Sequence, residues 1–385
     1  MYCEPNSTNI TYDLDKVTVI DFRSDTFTKP TKKMREAISK AEVGDDVFNE
    51  DPTVKILQEK AAKMIGMEDA IFVCSGTMGN LISIMVHCDV RGSEAYCGDL
   101  AHCLLHEQTG SAQIAGVNLR TLKNNNNGTF DLQELASKLR RNRDHEPISK
   151  LVLVENTING KIVPQNWINE LVLFCKKHNL KLHMDGARLW NASIASKIAA
   201  KDIVSGFDSV TFCLSKGLES KKKKYFNLGA PVGSLLCGTK QFIENARRIR
   251  KVLGGGMRQV GILAAAGLVA LEHIPNLAND HKRAFTLASA IHNIQSSVFL
   301  VDLTTVQTNM VFMEVDSNIV HAKKFSNCLQ EFDNDDNNDK AVVVKCMVMN
   351  ESLIRFVLSF EVGDDELKLA IKKIIHVIKK LDPKF

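Results

Sequence analysis

Ser209-Val-Thr-Phe-Cys-Leu-Ser-Lys216-Gly217 is an apolar run that stops at a lysine. Upstream, Lys181-Leu-His-Met-Asp185-Gly-Ala-Arg188 is a second such run, and it stops at an aspartate. Short apolar runs bounded by polar and turn residues read as buried strands. About thirty residues separate Asp185 from Lys216, roughly one crossover unit of a parallel sheet. Taken singly, Asp185 reads as a helix N-cap and Lys216 as a solubilising strand end. Taken together, they bring a carboxylate and an amine to one edge of an open α/β sheet, where ligands bind outside the carboxyl ends of the strands.

An amine and a carboxylate delivered this way suit pyridoxal phosphate. The lysine forms a Schiff base with the cofactor aldehyde, and the carboxylate keeps the pyridine nitrogen protonated so that the ring accepts electrons.

The neighbouring words carry a resemblance. Asp185-Gly-Ala-Arg188-Leu-Trp-Asn-Ala-Ser193 and Phe212-Cys-Leu-Ser-Lys216-Gly-Leu218 resemble the low-specificity L-threonine aldolases. So do Asp21-Phe-Arg-Ser24-Asp25-Thr26, Val43-Gly-Asp-Asp46-Val47, Ser75-Gly-Thr-Met-Gly-Asn80 and Leu253-Gly-Gly-Gly-Met-Arg258-Gln259. These words stand in family order from about residue 18 to about 275. The resemblance implies a fold-type-I, aspartate-aminotransferase-like α/β architecture. Its large domain carries a mainly parallel seven-stranded sheet, and a small α+β domain follows. The expected boundaries are a tail over 1–18, the large domain over 19–275 and the small domain over 276–385.

Composition agrees with a soluble enzyme. At 385 residues the chain is long enough for two domains, and 44% of it is hydrophobic. The net charge of +4 is spread along the chain and gives no reason to invoke nucleic acid or a membrane surface. Ten cysteines lie scattered with no C-x-x-C, the habit of reduced, buried thiols. Cys97, His102, Cys103 and His106 match no zinc spacing, so no metal is expected. Glu4, Asp13 and Asp15 precede the first basic residue, and no signal pattern opens the chain. The apolar stretch Val260–Leu271 is too short to span a membrane. A cytoplasmic location is the expectation.

In chain order, Ser24 is placed by the resemblance at the substrate carboxylate. Ala70–Cys74 reads as a buried strand, and Ser75 as the N-cap of the helix that follows. There Gly76 and Thr77 offer backbone N–H groups to the cofactor phosphate, helped by the helix dipole. His102 matches the family histidine that lies flat on the cofactor ring, and it is the candidate base. His106 departs from the aromatic residue usual there. Leu151–Glu155 is another buried strand, followed by Asn156-Thr157. Arg188 is suited to forking onto a substrate carboxylate. Arg258 is a candidate phosphate contact, within its own chain or across a subunit boundary, and Arg355 offers the substrate carboxylate a further arginine. Family members run almost straight from the lysine word into Ala-Pro-Val-Gly, whereas residues 219–228, with four consecutive lysines, intervene here as a solvated loop. Leu358-Ser359 stands where the family has Thr-His.

The resemblance implies a lyase that splits L-threonine or L-allo-threonine into glycine and acetaldehyde by retro-aldol Cα–Cβ cleavage. Lys216, Asp185 and His102 would be catalytic, and a homodimer or homotetramer is implied. Two alternatives stay open: another reaction of the same cofactor, β-elimination or transamination, and a catalytically silent scaffold.

Overall fold

The computed structural model describes residues 17–216, 229–332 and 341–385. Most of the expected tail, the lysine-rich stretch 219–228 and residues 333–340 lie outside the described residues. In chain order the strands are β1 (Val17–Asp21), β2 (Asp69–Val73), β3 (Ser93–Gly98), β4 (Asn118–Leu122), β5 (Ile148–Glu155), β6 (Lys181–Asp185), β7 (Ser209–Cys213), β8 (Ser234–Gly238), β9 (Phe299–Leu300), β10 (Met310–Val315), β11 (Ala341–Lys345), β12 (Met347–Asn350) and β13 (Leu353–Val357).

Residues 29–216 and 229–275 form one compact unit. Its seven-stranded sheet runs β2-β8-β7-β6-β5-β3-β4, and β8 alone is antiparallel to its neighbours. The architecture is the mainly parallel α/β sheet expected from the sequence. Every residue of β3 and β7 is buried, because helices cover both faces of such a sheet and leave no solvated side. That is why the polar Ser209 and Thr211 of β7 are buried along with Val210, Phe212 and Cys213.

Helix Gly76–His87 is seated directly on β7. A Cβ on Gly79 would stand 2.6 Å from Thr211 Cγ2, so only glycine lets the first turn come this close. Ser75 caps the helix, its Oγ accepting from the Met78 N–H at 3.1 Å. The neighbouring helix Lys240–Val252 buries Arg250, which donates to Phe72 O at 2.7 Å and pairs with Asp46 at 2.6 Å.

Residues 276–332 and 341–385 form the second unit together with 17–28. Its antiparallel sheet runs β12-β13-β10-β9, and β1 pairs in parallel with β11. Ile20 and Phe22 join its core beside Phe299, Phe325 and Phe356. The sequence analysis assigned 19–275 to one domain, but β1 finds its ladder partner more than three hundred residues later. β9 spans only Phe299–Leu300. The apolar stretch 341–348 divides at Cys346 into β11 and the start of β12, which belong to different sheets.

Candidate active site

Asp185 ends β6 and is 6% exposed. Its Oδ1 accepts from the Ala187 N–H at 3.0 Å, and its Oδ2 accepts from Asn80 Nδ2 at 2.7 Å. Asn80 lies near the start of the helix that Ser75 caps, one residue beyond the glycine that lets the helix approach β7. The same Nδ2 donates to Glu107 Oε1 at 2.9 Å, and that oxygen also meets His102 Nδ1 at 2.9 Å. Glu155 ends β5 as the direct register partner of Asp185, and it accepts from the His102 backbone N–H at 2.9 Å. Two strand ends, the start of helix Gly76–His87 and the segment His102–Glu107 thus gather Asn80, His102, Glu107, Glu155 and Asp185 into a single cluster.

Three carboxylates in one buried cluster repel one another, and the titration behaviour follows. Burial first, then the Asp185 charge, pushes the Glu155 carboxyl up to about 7, against the opposing pull of the His102 N–H and the charges of His102 and Lys216. Burial likewise raises Glu107, with Asp185 adding to it, while the His102 and Asn80 hydrogen bonds pull the other way. His102 is raised, chiefly by its bond to Glu107, with further help from the Asp185 and Glu155 charges. Both shifts in the Glu107–His102 pair favour a proton held between them. With Nδ1 turned to Glu107, Nε2 is the basic atom of the neutral ring.

Lys216 follows β7 as expected, partly buried, at the carboxyl edge of the sheet. Its charge reaches Glu155, in the cluster around Asp185. Arg188 takes the position before helix Leu189–Ser196, three residues past Asp185. His106 packs edge-to-face on the His102 ring, centroids 5.3 Å apart, so the departure from the family pattern keeps a ring in contact at that position. Arg258 pairs with Asp45 of the same chain at 2.9 Å and leaves 55% of its side chain exposed. Ser24 and Arg355 belong to the other unit. Ser24 Oγ accepts from Thr26 Oγ1 at 2.9 Å, and Arg355 Nη2 donates to Arg23 O at 3.1 Å.

No local signal gives Asn80 or Glu107 a role, although Asn80 ends the Ser75–Asn80 word and Glu107 directly follows His106. Glu155 reads only as the polar end of a buried strand. Nothing in the sequence shows that their side chains meet.

The residues of this edge fit pyridoxal phosphate by their own chemistry. The Gly76 and Thr77 N–H groups open a helix and find no acceptor among the described residues, which is the condition for anion binding. A Cβ on Gly76 would come 3.0 Å from Cys213 Sγ, so bare backbone lines the end of β7. Among the described residues Asp185 accepts only from neutral donors, and the surplus of carboxylates around it suits a pyridinium cation.

The beta-eliminating lyase family profile matches residues 21–316. The chain belongs to that family. Relatives in it include low-specificity L-threonine aldolase 1 of Arabidopsis thaliana, 46% identical over 81% of this chain and 86% of the relative. The low specificity L-threonine aldolase of Escherichia coli K12 is 42% identical over 77% of this chain and 85% of its own length. Among solved structures, the Leishmania major threonine aldolase superposes with a TM-score of 0.71 at 21% identity, covering 94% of this chain and 99% of that one. Sphingomonas wittichii serine palmitoyltransferase reaches 0.69 at 15% identity, with 94% and 88% covered. Likenesses at these identities establish the fold and no more. Family and fold together make the chain a pyridoxal-phosphate-dependent lyase.

Proposed function

We propose that this enzyme cleaves L-threonine and L-allo-threonine to glycine and acetaldehyde. The observation that carries the reading is the convergence of Asp185, Glu107 and His102 through Asn80, at the sheet edge where Lys216 follows β7. When bound, pyridoxal phosphate supplies an electron sink beside the amino-bearing carbon, so that a bond at that carbon breaks heterolytically. Lys216 provides the amine that would hold the cofactor aldehyde, Asp185 would hold the proton at the pyridine nitrogen, and the Gly76 and Thr77 amides would take the phosphate.

Arg188 is assigned to the substrate carboxylate, where a planar guanidinium gives two parallel hydrogen bonds and fixes which bond at Cα stands ready to break. Ser24 and Arg355 are assigned to the same carboxylate on the strength of their sequence words. His102 would lie over the cofactor ring and would accept the β-hydroxyl proton at Nε2 as the Cα–Cβ bond breaks, leaving the aldehyde carbonyl. A proton returned to Cα completes glycine. Glu107 supports this step, because its carboxylate stabilises the imidazolium that forms. Arg258, turned outward to Asp45, is assigned to a phosphate across a subunit boundary. A homodimer or homotetramer, a cytoplasmic location and a place in threonine and glycine metabolism complete the reading.

The test is an absorbance spectrum of the purified protein before and after L-allo-threonine, with acetaldehyde and glycine assayed together. A yellow band lost in Lys216→Ala, with both products formed by the parent, supports the lyase. A yellow protein that forms other products points to β-elimination or transamination. A protein that takes up no cofactor overturns the enzymatic reading.

A further inference from the structure

Behind the cluster runs a second chain of polar groups that the proposed reaction does not use. His87 Nε2 lies 2.7 Å from Ser209 Oγ, and Ser209 Oγ lies 2.8 Å from His183 Nδ1. His183 Nε2 lies 3.1 Å from Asn80 Oδ1. His183 and Ser209 are completely buried, Asn80 nearly so, and His87 is fixed by stacking on Phe242 with centroids 4.6 Å apart.

The direction of every bond follows from donor and acceptor counting. Asn80 faces two carboxylate oxygens on one side, so its NH2 group must be there and its carbonyl must face His183. His183 Nε2 therefore carries the proton, and His183 Nδ1 accepts. Ser209 must then donate to Nδ1, which makes its oxygen the acceptor for the His87 Nε2 proton. The reverse amide orientation would set the Asn80 carbonyl against Glu107 and Asp185 at hydrogen-bond distance, with no proton between them.

We propose that Asn80 is a positioning residue of the active site: its carboxamide, oriented by the buried His87–Ser209–His183 chain, clamps the Asp185 and Glu107 carboxylates together. The clamp sets the plane of the carboxylate that would face the cofactor, and it joins that carboxylate to the group that holds His102. Each hydrogen bond in the chain points its proton toward the carboxylates, so the donors polarise one another in the same sense. Both relay histidines are held neutral: burial lowers His87 to about 3 and His183 to about 4. The chain thus adds oriented dipoles without adding a charge. This role rests on Asp185 and His102 acting as proposed above, and its test separates the two.

Histidine-labelled protein is read by long-range 1H–15N correlation, without substrate. His87 and His183 are expected as neutral Nε2–H tautomers across about pH 5 to 8, the range in which an ordinary histidine changes charge. An Nδ1–H tautomer at His183 would overturn the orientation of Asn80. In Asn80→Ala, kcat is expected to fall about ten- to a hundred-fold, as for lost hydrogen bonds to charged groups, with KM little changed. The acid limb of the pH profile should move to lower pH, because Glu107 without its Asn80 donor takes up a proton more readily and gives His102 less support. Glu107, Asp185 and Glu155 are the charged groups that bear on His102.

His183→Gln, which restores an N–H donor toward Asn80, should recover most of the kcat that His183→Ala loses. A folded Asn80→Ala protein with unchanged kcat and an unmoved acid limb sinks the proposal. A parent protein that releases no aldehyde defeats the proposed function instead, and the tautomers still decide the orientation of Asn80.

Discussion

Asp46 and Asp185 are both buried carboxylates of the same unit, at 1% and 6% exposure, yet they are satisfied in different ways. Asp46 meets Arg250 Nη2 at 2.6 Å, and a second cation, Arg247, stands 3.9 Å away. Arg250 in turn donates to a backbone carbonyl, so this charge is answered by charge. Asp185 is answered by a carboxamide and a backbone N–H, with Glu107 and Glu155 close by. A buried negative charge matched by a guanidinium belongs to the scaffold. One surrounded by neutral donors and further carboxylates has affinity left over for a cationic ligand, and that is how a site differs from a strut.

Substitutions can sharpen this contrast or break it. The largest effect is expected from Lys216→Ala, which removes the amine at the active edge and should abolish acetaldehyde release while the thermal midpoint of the cofactor-free protein stays near the parent's. A mutant that retains activity would remove Lys216 from the site. Arg250→Ala should do the opposite, leaving Asp46 buried without its partner at a cost of about 3–5 kcal/mol, measured by denaturant unfolding. The acid limb of its pH profile should not move, and a shift there would erase the distinction between strut and site.

Glu107→Gln tests the pair in the middle. His102 is raised by its bond to Glu107, and a base works when neutral, so activity should fall as pH drops through a value above the ordinary 6.5 of histidine. In Glu107→Gln that limb moves to lower pH. The linked stability has a matching sign: a raised histidine stabilises the fold below about pH 6.5 and loses that contribution as pH rises through the raised value. The smallest effect is expected from Ser75→Ala. Loss of the cap bond to Met78 should cost about 1 kcal/mol of stability and loosen the helix start that offers the Gly76 and Thr77 amides. Calorimetry reads the first loss, and cofactor dissociation reads the second.

The elements at the active edge were legible because their signals are local. The apolar run before Asp185, the one before Lys216, and the serine–glycine step at residues 75–76 each specify an element and its end within a few residues. Asn80, Glu107 and Glu155 were on the page but had no readable role, since each contributes through a side chain that meets residues on other elements. Arg258 shows the limit from the other side. A basic residue after three glycines suits a phosphate, but nothing local announces that Asp45 accepts it. The C-terminal strands show it as well. The apolar stretch after residue 340 reads as one strand, and only its neighbours divide it at Cys346 between two sheets.

The sequence by itself determined the α/β class, the order of buried strands, and the amine and carboxylate delivered to the sheet edge, because periodicity, apolar runs and caps act over a handful of neighbouring residues. Tertiary structure alone decided that β1 pairs with β11, that one carboxamide bridges two carboxylates from separate elements, and that a chain of neutral histidines orients it. Pairings of that kind depend on which surfaces meet after the chain has closed loops of tens to hundreds of residues. No local preference encodes the partner at the far end of such a loop.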